Sequence, residues 1–171
     1  MLQGKTSCEL DSTVLKKLFH QARIIAANPN TLGFTGVELA MTLYACAAMN
    51  PPQPDFALEL SAYCLPLLPN LPANELVLIL ESHARLTSYV ARKSAATRNT
   101  APVVPGATIP QARAGRREVS PEVLAVLEEI VARQESGGLS GNQVVRAVAA
   151  SGKLGAPWRT VRVLVEAGAV Q

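Results

Sequence analysis

The sequence predicts an all-α protein made of stacked helical hairpins (a short α-solenoid) interrupted by an extended basic linker. Two observations carry this prediction: one pattern occurs three times along the chain, and a stretch without periodicity separates its second copy from its third. Composition agrees, because apolar residues make up 49% and aromatic residues only 4% of the 171 residues. Such a chain, rich in Ala, Leu and Val, suits helix-on-helix packing better than a β-sandwich.

The three copies begin at Phe34, Leu71 and Leu139. Equivalent positions hold residues of the same kind: Glu38, Glu75 and Gln143; Leu39, Leu76 and Val144; Leu43, Leu80 and Val148; Ala47, Ala84 and Gly152; Met49, Leu86 and Leu154. The apolar positions recur every four residues, which places them on one face of a helix. The small residues of the fourth set would let a neighbouring helix approach closely.

Each copy begins like the start of a helix. Thr35 is followed three residues later by Glu38, and Ser140 by Gln143, and both pairs fit a capping box. In the second copy Pro72 occupies the cap position, so only half of the box is present there. The sequence therefore predicts that a helix begins at each of these points.

The order of the helices follows from the breakers between them. Residues 1–12 are expected to be a flexible N-terminus, and residues 13–91 to form two helical hairpins. In the first hairpin, the basic amphipathic stretch 14–26 precedes a turn at 28–33 and a helix over 35–49. That stretch is interpreted as an ordinary helix, with a mitochondrial targeting segment as the alternative. In the second hairpin, Asp55 is expected to cap a helix that Pro66 ends or kinks, and the next helix continues to about Val90.

A third hairpin and a terminal helix are predicted over residues 120–171. Ser120 followed by Pro121 fits an N-cap and first helical position. A glycine pair at 137–138 turns the chain, and Gly152 is expected to end the next helix in a left-handed cap. Residues 156–168 then form the last helix.

The region between the hairpins, residues 92–119, is predicted to be an extended basic linker. Residues 92–117 carry six basic and no acidic side chains, whereas residues 1–91 carry a net charge of −2 and residues 118–171 a net charge of −1. Arginine in an extended segment can bind phosphate oxygens in pairs, with release of counterions. The candidate RNA-binding residues are Arg92, Lys93, Arg98, Arg113, Arg116 and Arg117. The alternative is a solvated linker that binds nothing specific.

The sequence offers no pattern for catalysis, and the chain is not expected to be an enzyme. His20 and His83 stand alone on helices, and no His, Cys or carboxylate cluster has metal-ligand spacing. No phosphate-binding loop motif is present, so no cofactor is expected. Cys46 and Cys64 lie in apolar stretches and are interpreted as small core residues in a reducing compartment.

The segments 34–49 and 67–86 resemble the octotricopeptide and heptatricopeptide repeats. The resemblance covers roughly residues 13–90 and 120–168. It implies helical-hairpin repeats of the kind found in organellar RNA-binding proteins, in FAST-kinase-like proteins and in subunits of divergent mitochondrial ribosomes. A mitochondrial location is therefore expected, with a plastid or cytoplasmic one as the alternative.

These observations favour a structural RNA-associated protein, most simply a subunit of an organellar ribosome. The hairpins would dock on other protein subunits and the linker on rRNA. A protein-interaction scaffold or accessory subunit of another mitochondrial complex without RNA contact is the first alternative. A winged-helix-like DNA-binding domain over residues 118–171 is the second, although the net charge of that region argues against it. No apolar run approaches the roughly 20 residues needed to cross a bilayer, so no membrane span is expected.

Overall fold

A computed structural model of the chain describes residues 12–27, 35–49, 51–99 and 119–168, and in these residues all regular structure is helical. The seven α-helices described are α1 (Ser12–Ala27), α2 (Gly36–Ala48), α3 (Pro54–Cys64), α4 (Ala73–Asn99), α5 (Pro121–Glu135), α6 (Gly141–Leu154) and α7 (Trp158–Gly168). A 3-10 helix, Leu65–Asn70, connects α3 to α4. The prediction of an all-α protein is confirmed for this part of the chain.

The chain divides into two compact units, Met1–Phe34 and Thr35–Gln171. Of the first unit the structure describes α1, whose side chains Leu18 and Ile24 are about half exposed. The predicted pairing of α1 with α2 in a hairpin stays a prediction. The predicted flexible N-terminus lies outside the described residues.

In the second unit, α4 is the central helix. It packs most extensively against α2 and α6, and it also contacts α5. α3 packs against α2, α7 packs against α6, and α5 contacts both the 3-10 helix and α7. The core of this unit lies between these helices and includes the fully buried Leu43, Leu60, Leu80, Ile130 and Leu164.

Local sequence signals set most of the helix ends. Both predicted capping boxes are present: the Thr35 N–H donates to Glu38 Oε2 at 2.8 Å, and the Ser140 N–H donates to Gln143 Oε1 at 2.8 Å. Ser120 caps α5 with Pro121 in the first turn, as predicted. α3 ends at Cys64, before Pro66, because proline lacks the N–H that would continue the helical hydrogen bonds.

Two predicted boundaries were wrong by a few residues. α3 begins at Pro54 with Gln53 in the cap position, so Asp55 lies in the first turn and does not cap the helix. α6 continues past Gly152 to Leu154 and ends at Gly155, which adopts the left-handed conformation with φ of 71°. Glycine is favoured at Gly155 because a Cβ atom would be strained at that φ.

The linker was predicted to begin at residue 92, but α4 continues to Asn99. The hydroxyls of Ser94 and Thr97 donate to carbonyls four residues earlier, of Val90 and Lys93, at 2.9 and 3.0 Å. Ala, Arg, Lys and Ser tolerate a helix without providing apolar periodicity, so the exposed end of a long helix resembled a linker. The remainder of the predicted linker, up to residue 118, lies outside the described residues.

Candidate nucleic-acid interface

A basic groove lies along α4, between the end of α2 and the end of α6. Its cavity volume is about 800 Å³. We call it the basic groove and define it by its lining residues: Ala47, Ala48, Met49, Pro52, Ala84, Arg85, Ser88, Tyr89, Arg92, Lys93, Ala96 and Lys153. Four of these side chains are cations and none is a carboxylate, which is the arrangement expected of an anion-binding surface.

The periodicity of α4 brings most of these cations together. Arg85 and Arg92 are seven residues apart, so they lie on one side of the helix about two turns from each other. Lys93 follows Arg92, and Tyr89 lies between the two turns. All three cationic side chains are exposed, and Tyr89 is half-buried. A single face of one helix therefore carries three positive charges and an aromatic ring.

Tertiary packing adds the remaining groups. Lys153, in the last turn of α6, also lines the groove. The Arg85 guanidinium lies over the ring of Tyr44 on α2, 4.8 Å from its centroid, which is cation–π geometry. The Arg92 Nε–H donates to the Ser88 carbonyl at 3.3 Å and holds that side chain along the helix. The groove thus draws on three helices.

Glu81, a carboxylate close to Arg85 and Lys153, forms an ion pair with Arg146. The Arg146 guanidinium of α6 donates two hydrogen bonds to it, from Nε to Oε1 at 2.9 Å and from Nη2 to Oε2 at 2.8 Å. These hydrogen bonds lower the pKa of Glu81, to which Arg85 and Lys153 add attraction. The hydrogen bonds of Glu81 go to Arg146, whereas Arg85 and Lys153 attract it only through space and remain exposed to solvent, where they can contact an external anion.

The structure places the six predicted RNA-binding residues only in part. Arg92 and Lys93 line the basic groove, and Arg98 lies on α4, where its side chain is outside the described residues. Arg113, Arg116 and Arg117 also lie outside the described residues, so their role stays a prediction. Sequence analysis missed Arg85 and Lys153, because each is a single cation in a segment of mixed charge and only the packing of α4 with α6 brings them together.

A second groove, on another face of α4, has a different character. It is lined by the uncharged residues of α3 and α4 together with His83, and its volume is about 560 Å³. His83 is 3% exposed, and its Nε2 has no hydrogen-bond partner. Burial lowers the pKa of His83, opposed by the charge of Glu122, so the imidazole is neutral at pH 7.

The described residues also bear on metal binding, membrane insertion and cysteine chemistry. Within residues 12–27, 35–49, 51–99 and 119–168, no group of three His, Cys, Asp or Glu side chains could hold a metal ion. No helix in that part of the chain has the length and apolar character of a membrane span. Cys46 and Cys64 are buried core residues, as predicted, and burial raises the pKa of both thiols to about 11.

Comparison with known proteins finds no matching family model, no matching curated protein and no matching solved structure.

Proposed function

We propose that this chain is a non-catalytic, RNA-associated structural protein that holds the phosphate backbone of RNA in the basic groove. The observation that carries the proposal is the groove itself, in which Arg85, Arg92, Lys93 and Lys153 meet without a carboxylate. Guanidinium and ammonium groups bind phosphate oxygens by charge-assisted hydrogen bonds, and each phosphate contact releases counterions. The exposed side of Tyr89 gives a base a surface for stacking.

The sequence around the groove extends this basic region. From residue 82 to residue 117 the chain contains no acidic side chain, whereas it contains seven basic ones. Along the sequence, the last turns of α4, which carry Arg92 and Lys93, are followed by Arg113, Arg116 and Arg117 with no acidic residue between them. We propose that RNA contacts continue from the groove along that part of the chain.

The helix contacts support a short α-solenoid as the scaffold of this groove. The second helices of the three sequence repeats, α2, α4 and α6, contact one another in sequence order, and α5 bridges the 3-10 helix and α7. In a solenoid each hairpin contacts only its neighbours, so an array of this length has open ends that suit docking in a larger assembly. A place in a mitochondrial ribosome is the specific form of the proposal and is supported by the resemblance of the repeats.

The test is binding of polyuridylate to the full chain over a range of salt concentrations. A triple variant, Arg92→Gln with Lys93→Gln and Lys153→Gln, removes three groove charges. The matched control removes three exposed charges elsewhere, Lys16→Gln with Lys17→Gln and Arg159→Gln. We expect the groove variant to bind at least about tenfold more weakly, with the slope of log affinity against log salt reduced by about 0.7 for each lost phosphate contact.

Equal weakening in the two triple variants would show that only net charge matters and would contradict the groove as the site. In a parallel experiment, the tagged chain is recovered from cells with its assembly, and the assembly is treated with nuclease. Release of the chain supports an RNA-held subunit. Retention after complete digestion of RNA would favour the protein-interaction scaffold instead.

A further inference from the structure

The repeats allow the burial of equivalent positions in α2, α4 and α6 to be compared. Ala40, Val77 and Val145 are equivalent: the first two are fully buried, whereas Val145 is 67% exposed. Two further sets follow the same rule. Leu43 and Leu80 are fully buried and Val148 is half-buried; Ala47 and Ala84 are buried and Gly152 is exposed. We call the surface formed by these positions the trailing face of each helix.

A different set of positions shows the opposite trend. Ala45 is exposed, whereas its equivalents Ser82 and Ala150 are buried. Thr42 is half-buried, whereas its equivalents Ile79 and Ala147 are buried. Met49 is likewise half-buried, whereas Leu86 and Leu154 are buried. Met41, next to these positions, is 60% exposed. We call this surface the leading face.

The two trends have one physical cause. α4 has a neighbour on both sides, because it packs against α2 and against α6, and both of its faces are covered. Within the described residues of the second unit, α2 packs against α4 through its trailing face, and α6 packs against α4 through its leading face. The leading face of α2 and the trailing face of α6 are therefore the open ends of one repeated interface.

We propose that a second copy of this chain continues the row, with the leading face of its α2 packed on the trailing face of α6. The new contact would continue the interface that joins α2 to α4 and α4 to α6. This proposal rests on the repeat stacking described under the proposed function, and it does not depend on RNA binding. The residues exposed at the two ends, Met41 and Ala45 on one side and Val145 on the other, are apolar, as an interface core requires.

Charge does not oppose this contact. Where α6 packs on α4, Arg146 on the leading face pairs with Glu81. The positions equivalent to Arg146 and Glu81 at the open ends are Met41 on α2 and Ala149 on α6. The ion pair within the chain is thus replaced by two apolar residues between chains, so no buried charge is left without a partner.

The contact is heterologous, because each copy uses a different surface from its neighbour. Each copy keeps one open end after the first association, so the average mass should rise steadily with concentration and should not stop at a dimer. Two different substitutions can block the two ends separately, which makes the proposal testable by complementation.

The experiment is sedimentation equilibrium of the full chain, freed of RNA, across a range of concentrations. Met41→Lys blocks the leading face and Val145→Lys the trailing face, and each is expected to reduce association at least about tenfold. Both side chains are mostly exposed, so neither change disturbs the core. Leu58→Lys is the control, since Leu58 is 51% exposed but lies on α3.

A mixture of the two lysine variants is the decisive sample. Met41→Lys keeps an intact trailing face and Val145→Lys keeps an intact leading face, so one chain of each variant can pair. Both remaining ends of that pair are blocked, so the mixture should form a dimer and nothing larger. A wild-type chain that stays a single chain at every concentration, a mixture that fails to form the dimer, or equal disruption by Leu58→Lys would each overturn the proposal. The groove variants should associate like the wild type, so this proposal and the RNA proposal fail separately.

Discussion

Arg146 and Glu81 join α6 to α4 through a two-point ion pair, with both contacts between 2.8 and 2.9 Å. The same guanidinium also donates to Asn74 Oδ1 at 3.1 Å, so one side chain holds two turns of the neighbouring helix. Because the two side chains of the pair are only 30% and 24% exposed, solvent screens this pair less than an ordinary surface pair.

Replacing Arg146 with Ala should lower the free energy of unfolding by about 1 kcal/mol, since it removes a bidentate pair that is partly buried. Urea unfolding at pH 7 measures this change. Arg162→Ala serves as the control, because its pair with Glu166 is exposed and lies within one helix, and its effect should be smaller. An equal loss in the two variants would contradict a special role for the contact between α4 and α6.

The stabilisation that the Arg146–Glu81 pair provides should decrease at acidic pH. The hydrogen bonds from Arg146 lower the pKa of Glu81 in the folded chain. The stabilisation is therefore present above the unfolded value of about 4.3 and is lost as pH falls through the folded pKa. In Glu81→Gln this part of the acid-induced loss of stability should be absent.

His83 predicts a second pH effect, at higher pH. Its buried imidazole has a pKa below the ordinary value of about 6.5, so the unfolded chain binds a proton that the folded chain does not. The free energy of unfolding should fall as pH drops below about 6.5, by at most ~1.4 kcal/mol per pH unit, until the folded pKa is reached. Urea unfolding at pH 7.5 and pH 5.5 measures the loss.

His83→Leu should remove this dependence, while His20→Gln, at an exposed position, should keep it. A wild-type chain equally stable at the two pH values would show that the buried imidazole is protonated without cost.

The two glycines near the end of α6 should respond oppositely to alanine. Gly155 has a φ of 71°, so Gly155→Ala should destabilise the chain by about 1 kcal/mol. Gly152 lies inside the helix, and a Cβ there would meet no atom within 4 Å, so Gly152→Ala should stabilise it by about 0.5–1 kcal/mol. Thermal unfolding at low protein concentration compares the two, and a reversed order would contradict the helix end described above.

The thiols of Cys46 and Cys64 should be protected from alkylation. Burial raises the pKa of each to about 11, and both are buried, so little thiolate is accessible at pH 7.5. Iodoacetamide treatment followed by peptide mass spectrometry should find both residues unmodified in the native chain and modified in urea. Rapid labelling in the native chain would show that the helices around them open readily.

Local signals in the sequence predicted much of this fold. Thr35 with Glu38, Ser140 with Gln143 and Ser120 with Pro121 each act within one helical turn, so their geometry follows from residue type and spacing. The end of α4 was missed because residues 92–99 leave the core, and apolar periodicity, on which the prediction relied, exists only where a helix is packed.

The residues of the basic groove also divide into those that the local sequence predicts and those that only tertiary packing brings together. Arg92 and Lys93 were found because they belong to a stretch of basic residues that is visible in the sequence. Lys153 was not, because it is distant in sequence from Arg92 and Lys93 and reaches the groove only through the packing of α6 on α4. Contacts of this kind depend on tertiary structure and have no local signal.

The helical continuation of α4 to Asn99 has a consequence for the calorimetry of RNA binding. Arg92 and Lys93 are fixed on a rod with a rise of about 1.5 Å per residue, so a ligand meets an ordered array of charges. Association with the groove should therefore show the small heat-capacity change of a preformed surface, in contrast to the large negative one that accompanies coupled folding.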